Sequence, residues 1–408
     1  MSDDTHNLYE AITRQATALQ PWLWDIRNTL HRRPELAWEE FATTELICAS
    51  LRSLGLEPRV IRDGVGVVAD IIPEGMTGVP PIALRADIDG LPMNDLSPKA
   101  NRSRVRGKAH ACGHDVHTTS LIGAARVLVE LMKAGLLRRP VRLLFQPSEE
   151  RQQPSGASVV VDLGFLDDVT DVYALHCTAH LPIGRFGVRE GGVTSACGML
   201  ELTANGPGGH TARPFQTANL GREVARVLFQ LPDDLLRSYD PRATLSLEFG
   251  TATFGNGAAN VIPSEAIMRG TVRTPEVERW RNAEADIRTA LDRITRGRGV
   301  EWEINYTPGV PPTFNTKTGH SASVIERLWD ADAVRPTEQS LGGEDFGNML
   351  EAVRKNGGGG NLVRMGVRPL NVPAEEAADI HQSRFDPDPG SVAYGAAYLA
   401  GVAAIPTT

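Results

Sequence analysis

Residues 110–117 read His110-Ala111-Cys112-Gly113-His114-Asp115-Val116-His117. Thiol, imidazole and carboxylate, the side chains that hold transition metals, fall within eight positions. Cys112 and His114 stand two apart, so in extended backbone both can face one ion, whereas on a helix they would diverge. A thiolate bound to a cation is deprotonated outright, so Cys112 needs no unusual acidity of its own. The same residues admit two other readings: a cysteine nucleophile with a histidine base, or a small buried cysteine beside a helix-capping Asp115. Glu149 and Glu150 form a second candidate pair. Neighbouring side chains diverge in extended backbone, so one carboxylate can bind an ion while the other takes a proton from water and returns it to a leaving amine. Most such pairs are solvated surface, and only the apolar run 141–145 ahead of this one sets it apart. His381 and His210 carry no signal alone. The glycines of 206–211 lack the Gly-Lys-Ser/Thr of a phosphate loop.

Strand ends supply the positioning. Apolar runs at 66–72, 82–86, 141–145 and 172–175 alternate with helical stretches near 116–137 and 155–163, after two helices within 10–55. That alternation predicts an α/β domain with a mostly parallel sheet. Asp87 and Asp89 then come after one strand, Glu149 and Glu150 after another, and His176 after a third, all at the strand ends where open sheets bind ligands. From residue 194 the order becomes β-α-β-β-α-β, with strands at 198–205, 244–254, 264–274 and 301–307 and helices at 217–230 and 275–297, a ferredoxin-like unit. The expected division is 1–193 and 308–408 for the first domain, with 194–307 inserted into it. The tract 357–360 is expected to be a loop.

The chain has 408 residues with 42 basic and 50 acidic ones, a net charge of −8, which argues against a nucleic-acid surface. Four cysteines without a CxxC pair fit a reducing compartment. Residues 1–6 are acidic and lack a secretion pattern, and no apolar run reaches membrane-spanning length. The expected location is the cytoplasm, with no membrane contact.

Taken together, these segments resemble the metal-dependent amidohydrolases that include hippurate hydrolases, N-acyl-amino-acid hydrolases and indoleacetyl-amino-acid hydrolases, relatives of the aminoacylase and carboxypeptidase G group. The resemblance rests on His31-x-x-Pro34-Glu35-Leu36, Leu84-Arg85-Ala86-Asp87-Ile88-Asp89-Gly90-Leu91-Pro92, His110-Ala111-Cys112-Gly113-His114-Asp115 and Phe145-Gln146-Pro147-Ser148-Glu149-Glu150. It continues through Leu175-His176, Gly208-Gly209-His210-Thr211-Ala212-Arg213-Pro214, Asn260-Val261-Ile262-Pro263, Gly270-Thr271-Val272-Arg273, Gly342-Gly343-Glu344-Asp345-Phe346 and His381.

The resemblance implies two divalent ions (zinc, manganese, nickel or cobalt) held by Cys112, His114, Glu150, His176 and His381. Glu149 is implied as general base and acid, and Asp87 as the residue that orients a ligand from behind. The inserted domain is implied to act as a lid and to carry homodimerisation, with His210 reaching the partner's site to hold the oxyanion. Asn260 and Arg273 are implied to bind the substrate carboxylate. The implied substrate is a small N-acyl amino acid, with a dipeptidase or carboxypeptidase-like activity as the alternative. The chain departs from the family's pattern at Phe215 and in the basic tract 98–108, with Lys99, Arg102, Arg104, Arg106 and Lys108. A thiol hydrolase built on Cys112 leaves Glu149, Glu150, His176 and His381 without a role. A non-catalytic metal-binding protein leaves Glu149 without one.

Overall fold

The structure is a computed structural model that describes residues 3–97, 100–151, 154–238, 240, 242–255 and 257–405. Residues 1 and 2 of the acidic start and Lys99 of the basic tract lie outside these. The chain divides into two compact units: Met1–Gly191 with Asn315–Glu338 and Asn348–Thr408, and Gly192–Phe314 with Gln339–Gly347.

In chain order the first unit begins with α1 (Asp3–Arg32), α2 (Phe41–Ser53), β1 (Arg59–Arg62), β2 (Val65–Ile71), β3 (Ile82–Asp87), α3 (His114–Lys133), β4 (Val141–Gln146), α4 (Gly156–Asp162), β5 (Asp171–Pro182) and β6 (Phe186–Val188). The second unit contributes β7 (Ala196–Asn205), α5 (Leu220–Arg237), β8 (Ser246–Phe254), β9 (Glu265–Thr274), α6 (Val277–Thr295) and β10 (Glu301–Thr307). The remaining elements are α7 (Thr318–Leu328), β11 (Val334–Pro336), α8 (Phe346–Lys355), β12 (Gly359–Arg368) and α9 (Ser391–Ala404).

The first unit is built on an eight-stranded sheet in the order β1-β2-β4-β3-β5-β12-β6-β11. Its centre, β4-β3-β5-β12, is parallel throughout. These strands are apolar along most of their length, as strands covered on both faces must be. Helix α3 is buried along nearly its whole length, and Val116, Leu121, Ala124 and Leu128 join Leu23 of α1 and Val392, Ala396 and Leu399 of α9 in one apolar core. The strand order sets β3 between β4 and β5, so the segments leaving Asp87 and Gln146 emerge side by side, with β5 next to the strand of Asp87.

The second unit is a four-stranded antiparallel sheet in the order β8-β9-β7-β10, the split arrangement of a ferredoxin-like unit, with α5 and α6 supplying its apolar layer. The segment Gln339–Gly347, expected in the first domain, packs here instead. Ser340 N–H donates to the Val193 carbonyl at 2.9 Å and Ser195 N–H to that of Gly342 at 3.0 Å. Such pairing between distant segments leaves no local periodicity to read.

Two further expectations are corrected. The glycines at 359 and 360 open the central strand β12 rather than a loop. They are there for space: a Cβ on Gly360 would lie 2.0 Å from the Val172 carbonyl oxygen of β5. His176 lies inside β5, opposite Arg364 of β12, rather than beyond the strand's end. Among the described residues no helix is long and apolar enough to cross a membrane.

Because the Gly360 site has no room, Gly360→Ala should lower stability by about 1–3 kcal/mol, the usual cost of overpacking. An unchanged midpoint in denaturant would show that β5 and β12 can separate freely.

Candidate metal centre

The turn at Gly113 aims the first ligands. Its φ of +92° is open to glycine, and a Cβ there would meet Cys177 Sγ at 2.8 Å. The turn ends the loop and starts α3, so Cys112 and His114 converge although His114 already belongs to the helix. Their ligand atoms and that of His176 all lie within 4.8 Å of one another. Asp115 points elsewhere. It does not cap α3, whose N-cap is Gly113, but pairs with Arg27 Nε at 2.8 Å and His31 Nδ1 at 2.7 Å.

The carboxylates arrive from β4. Ser148 takes a left-handed φ of +52°, and its N–H donates to buried Glu40 Oε1 at 2.7 Å. Beyond that turn, Glu150 N–H donates to Asp89 Oδ2 at 3.0 Å. Glu149 Oε2 then stands 3.8 Å and Glu150 Oε1 3.9 Å from His114 Nε2. His381 is also left-handed, at φ +61°, held by its N–H on the Ala111 carbonyl at 2.8 Å, and its Nε2 lies 3.3 Å from Glu150 Oε1. Cys112, Glu150 and His381 form a second group within 4.8 Å, and His114, Glu149 and Glu150 a third. Cys112 is common to the first two groups, His114 to the first and third, and Glu150 to the second and third.

The donor chemistry fits metal. His114 Nδ1 donates to the Asp89 carbonyl at 3.0 Å and lies 3.1 Å from Asp89 Oδ1, which leaves Nε2 as the free lone pair. That nitrogen is buried and has no hydrogen-bond partner among the described residues. His176 Nδ1 donates to the Cys177 carbonyl at 2.8 Å, so its Nε2 faces Cys112 Sγ, 3.4 Å away. Buried polar atoms without partners are costly, and a bound cation would satisfy these.

The electrostatics oppose a cysteine nucleophile. Burial pushes the Cys112 thiol well above its ordinary range, and burial pushes His176 well below its own. A reactive thiol beside its base needs the reverse of both. At His114 burial works against charge, but Asp87, Cys112 and Asp89 together outweigh it and hold the imidazole well above its usual range. His381 is raised by its contact with Glu150.

The direct contact behind His114 comes from Asp89, which the sequence marks only as a strand-end candidate, and not from Asp87. Asp87 Oδ2 is 3.7 Å from His114 Nε2, and its carboxylate is taken up by Arg85 Nη1 at 2.8 Å and His117 Nδ1 at 2.6 Å. Glu40 and His117 also escape sequence reasoning. Glu40 sits in an acidic pair that reads as surface, and His117 looks like the spare histidine of the motif.

The second unit places His210 on a two-stranded ribbon of Gly209–His210 with Val261–Ile262. Thr211 N–H donates to the Asn260 carbonyl at 3.1 Å, which brings Asn260 beside it. Arg273 lies on β9, and its Nη1 donates to the Leu341 carbonyl at 2.7 Å.

The sequence profile of peptidase family M20/M25/M40 matches residues 83–404. The chain belongs to this family. It is a metal-dependent hydrolase, and its metal centre fits a pair of divalent ions. It is 37% identical over 371 residues to a putative glutamate–cysteine ligase of Rhodococcus jostii, covering 90% of this chain but 45% of that protein, so the chain spans less than half of it. It is 31% identical over 389 residues to the IAA-amino acid hydrolase ILR1-like 4 of Arabidopsis thaliana, covering 94% of this chain and 85% of that one. Among solved structures it is similar to the YXEP protein of Bacillus subtilis, a dinuclear metal-binding peptidase of the M20 family, with 29% identity, a TM-score of 0.78, and coverage of 95% and 98%.

The His381 side chain is 53% exposed whereas those of Cys112, His114 and His176 are buried, so a chelator should strip the ion on the His381 side first. His381→Ala should therefore purify with one ion per chain and Cys112→Ala with fewer, by elemental analysis; equal contents would contradict the two-group reading. Separately, burial and then the Asp89 charge push Glu40 up to about 8. Its contribution to stability is complete below the unfolded value of 4.5 and is lost as pH rises towards 8. Glu40→Gln should gain in Tm on the parent as pH rises through that window, and a constant difference would contradict the shift.

Proposed function

We propose that the chain hydrolyses the amide bond of small N-acyl amino acids. The observation that carries this is the partnerless His114 Nε2, with Glu149 and Glu150 oxygens 3.8 and 3.9 Å away. Two divalent ions bound there supply a polarised carbonyl and a water acidic enough to lose its proton near neutral pH. Zinc suits the thiolate and imidazole donors, and manganese, nickel or cobalt suit the mixed set.

Glu149 takes the proton of the attacking water and passes it to the amide nitrogen as the C–N bond breaks. Cys112, His114, Glu150, His176 and His381 hold the ions and take no part in proton transfer. Asp87 and Asp89 keep the ligands in place. His210 is exposed, and its Nδ1 accepts the Ala212 N–H at 3.0 Å, so its ring proton sits on Nε2, available to an oxyanion. Asn260 and Arg273 receive the substrate carboxylate. In this reading the second unit serves as lid and joins two chains, with His210 working in the partner's site. The edge strand β8, with Phe254 at its end, and the exposed Phe229 on α5 support such a surface. All four cysteines are unpaired, which supports a reducing cytoplasm.

The similarity to an indoleacetyl-amino-acid hydrolase favours an acyl amino acid over a peptide. Assay of metal-loaded protein against N-acetyl, N-benzoyl and indoleacetyl amino acids and dipeptides decides between them. Glu149→Gln should lose about 10²–10⁴-fold in kcat while retaining both ions. Retained turnover would remove Glu149 from the mechanism, and lost ions would make it a ligand.

A further inference from the structure

His117 is buried at the heart of the first unit and, although it groups with Asp87 and His114 as a possible metal set, it is not among the ligands assigned above. Both of its ring nitrogens are committed. Nδ1 donates to Asp87 Oδ1 at 2.6 Å, and Nε2 accepts the Cys177 N–H at 2.9 Å. An imidazolium could not accept that N–H, so the partners assign a neutral ring with its proton on Nδ1.

The acceptor stands where the sheet runs out. β3 pairs with β5 only at Ala83–Val172, Leu84–Tyr173 and Arg85–Ala174. Past that point the Cys177 N–H finds an imidazole where a strand would have been. The same residue's carbonyl receives the His176 Nδ1 proton at 2.8 Å. One backbone residue is thus gripped from α3 on its N–H side and in turn grips the His176 ring on its carbonyl side. The two imidazoles lie 5.0 Å apart between centroids. The anchor itself is braced: Asp87 Oδ2 meets Arg85 Nη1 at 2.8 Å, and Arg85 Nε meets Gln146 Oε1 at 2.8 Å, all buried.

We propose that His117 is a positioning residue for the metal centre: by holding the Cys177 backbone it fixes the tautomer and direction of His176, so that His176 Nε2 and Cys112 Sγ meet one ion without rearrangement. The inference rests on the metal reading above. It distinguishes two jobs that the ring could have, bonding Asp87 as a donor or bonding Cys177 as an acceptor, and assigns the metal-directed one to the acceptor.

Amide side chains separate these jobs. Glutamine carries its amide near the level of Nε2 and can accept the Cys177 N–H. Asparagine carries its amide near Nδ1 and can donate only to Asp87. Phenylalanine does neither. The test is the Zn(II) affinity of parent, His117→Gln, His117→Asn and His117→Phe chains, by competition with a chromophoric chelator, with Tm recorded for each. His117→Asn and His117→Phe should bind Zn(II) about 10–100-fold more weakly, and His117→Gln within about threefold of the parent. Parent-like affinity in His117→Asn would overturn the proposal, as would a His117→Gln chain as weak as His117→Asn. If His117→Phe does not fold, the Gln–Asn pair still decides. A parent chain that binds no Zn(II) overturns the metal reading itself, and this proposal with it.

Discussion

The constraint on which the first unit depends is the burial of ligand atoms that the protein itself does not satisfy. His114 Nε2 is out of water with no hydrogen bond among the described residues, and oxygens of Asp87, Glu149 and Glu150 stand 3.7–3.9 Å from it. Those separations are too long for hydrogen bonds, yet they crowd three carboxylates around one buried nitrogen. A cation among them turns an expensive cluster into a stable one. The strand order that sets β3 between β4 and β5 brings these groups together, and the core of α1, α3 and α9 holds the sheet edge rigid behind them.

Local backbone cost is spent at the same place. Gly113, Ser148 and His381 all take positive φ, and each lies at or within two residues of a ligand. For Ser148 and His381 this conformation is unfavourable, and each is held by its own N–H, on Glu40 in one case and on Ala111 in the other. The two buried histidine ligands are also oriented through their far nitrogens, His114 of α3 by Asp89 and His176 of β5 by the Cys177 carbonyl. Through such supports the scaffold itself aims a thiol, two imidazoles and a carboxylate at one region.

Much of this is legible in the residues because it depends on local pattern. Apolar runs place β2 to β5 within a residue or two of their observed starts, and the β-α-β-β-α-β order of the second unit is readable from periodicity alone. Cys112, His114, Glu149 and Glu150 draw attention through proximity in sequence. The roles of Asp89, Glu40 and His117 are not legible there, because they depend on partners 25 to 108 residues away. The glycines of β12 mislead, since a glycine run has the same composition whether it is a loop or a strand pressed against a neighbour's carbonyls. His176 reads as a strand end because the polar half of β5 breaks the apolar pattern while the strand continues.

The central claim is that Cys112 is a metal-bound thiolate and not a nucleophile. X-ray absorption at the zinc edge of the zinc-loaded protein tests it most directly. A sulfur scatterer at about 2.3 Å, absent from Cys112→Ser, is the predicted result. A shell of nitrogen and oxygen alone, unchanged by that substitution, would contradict it.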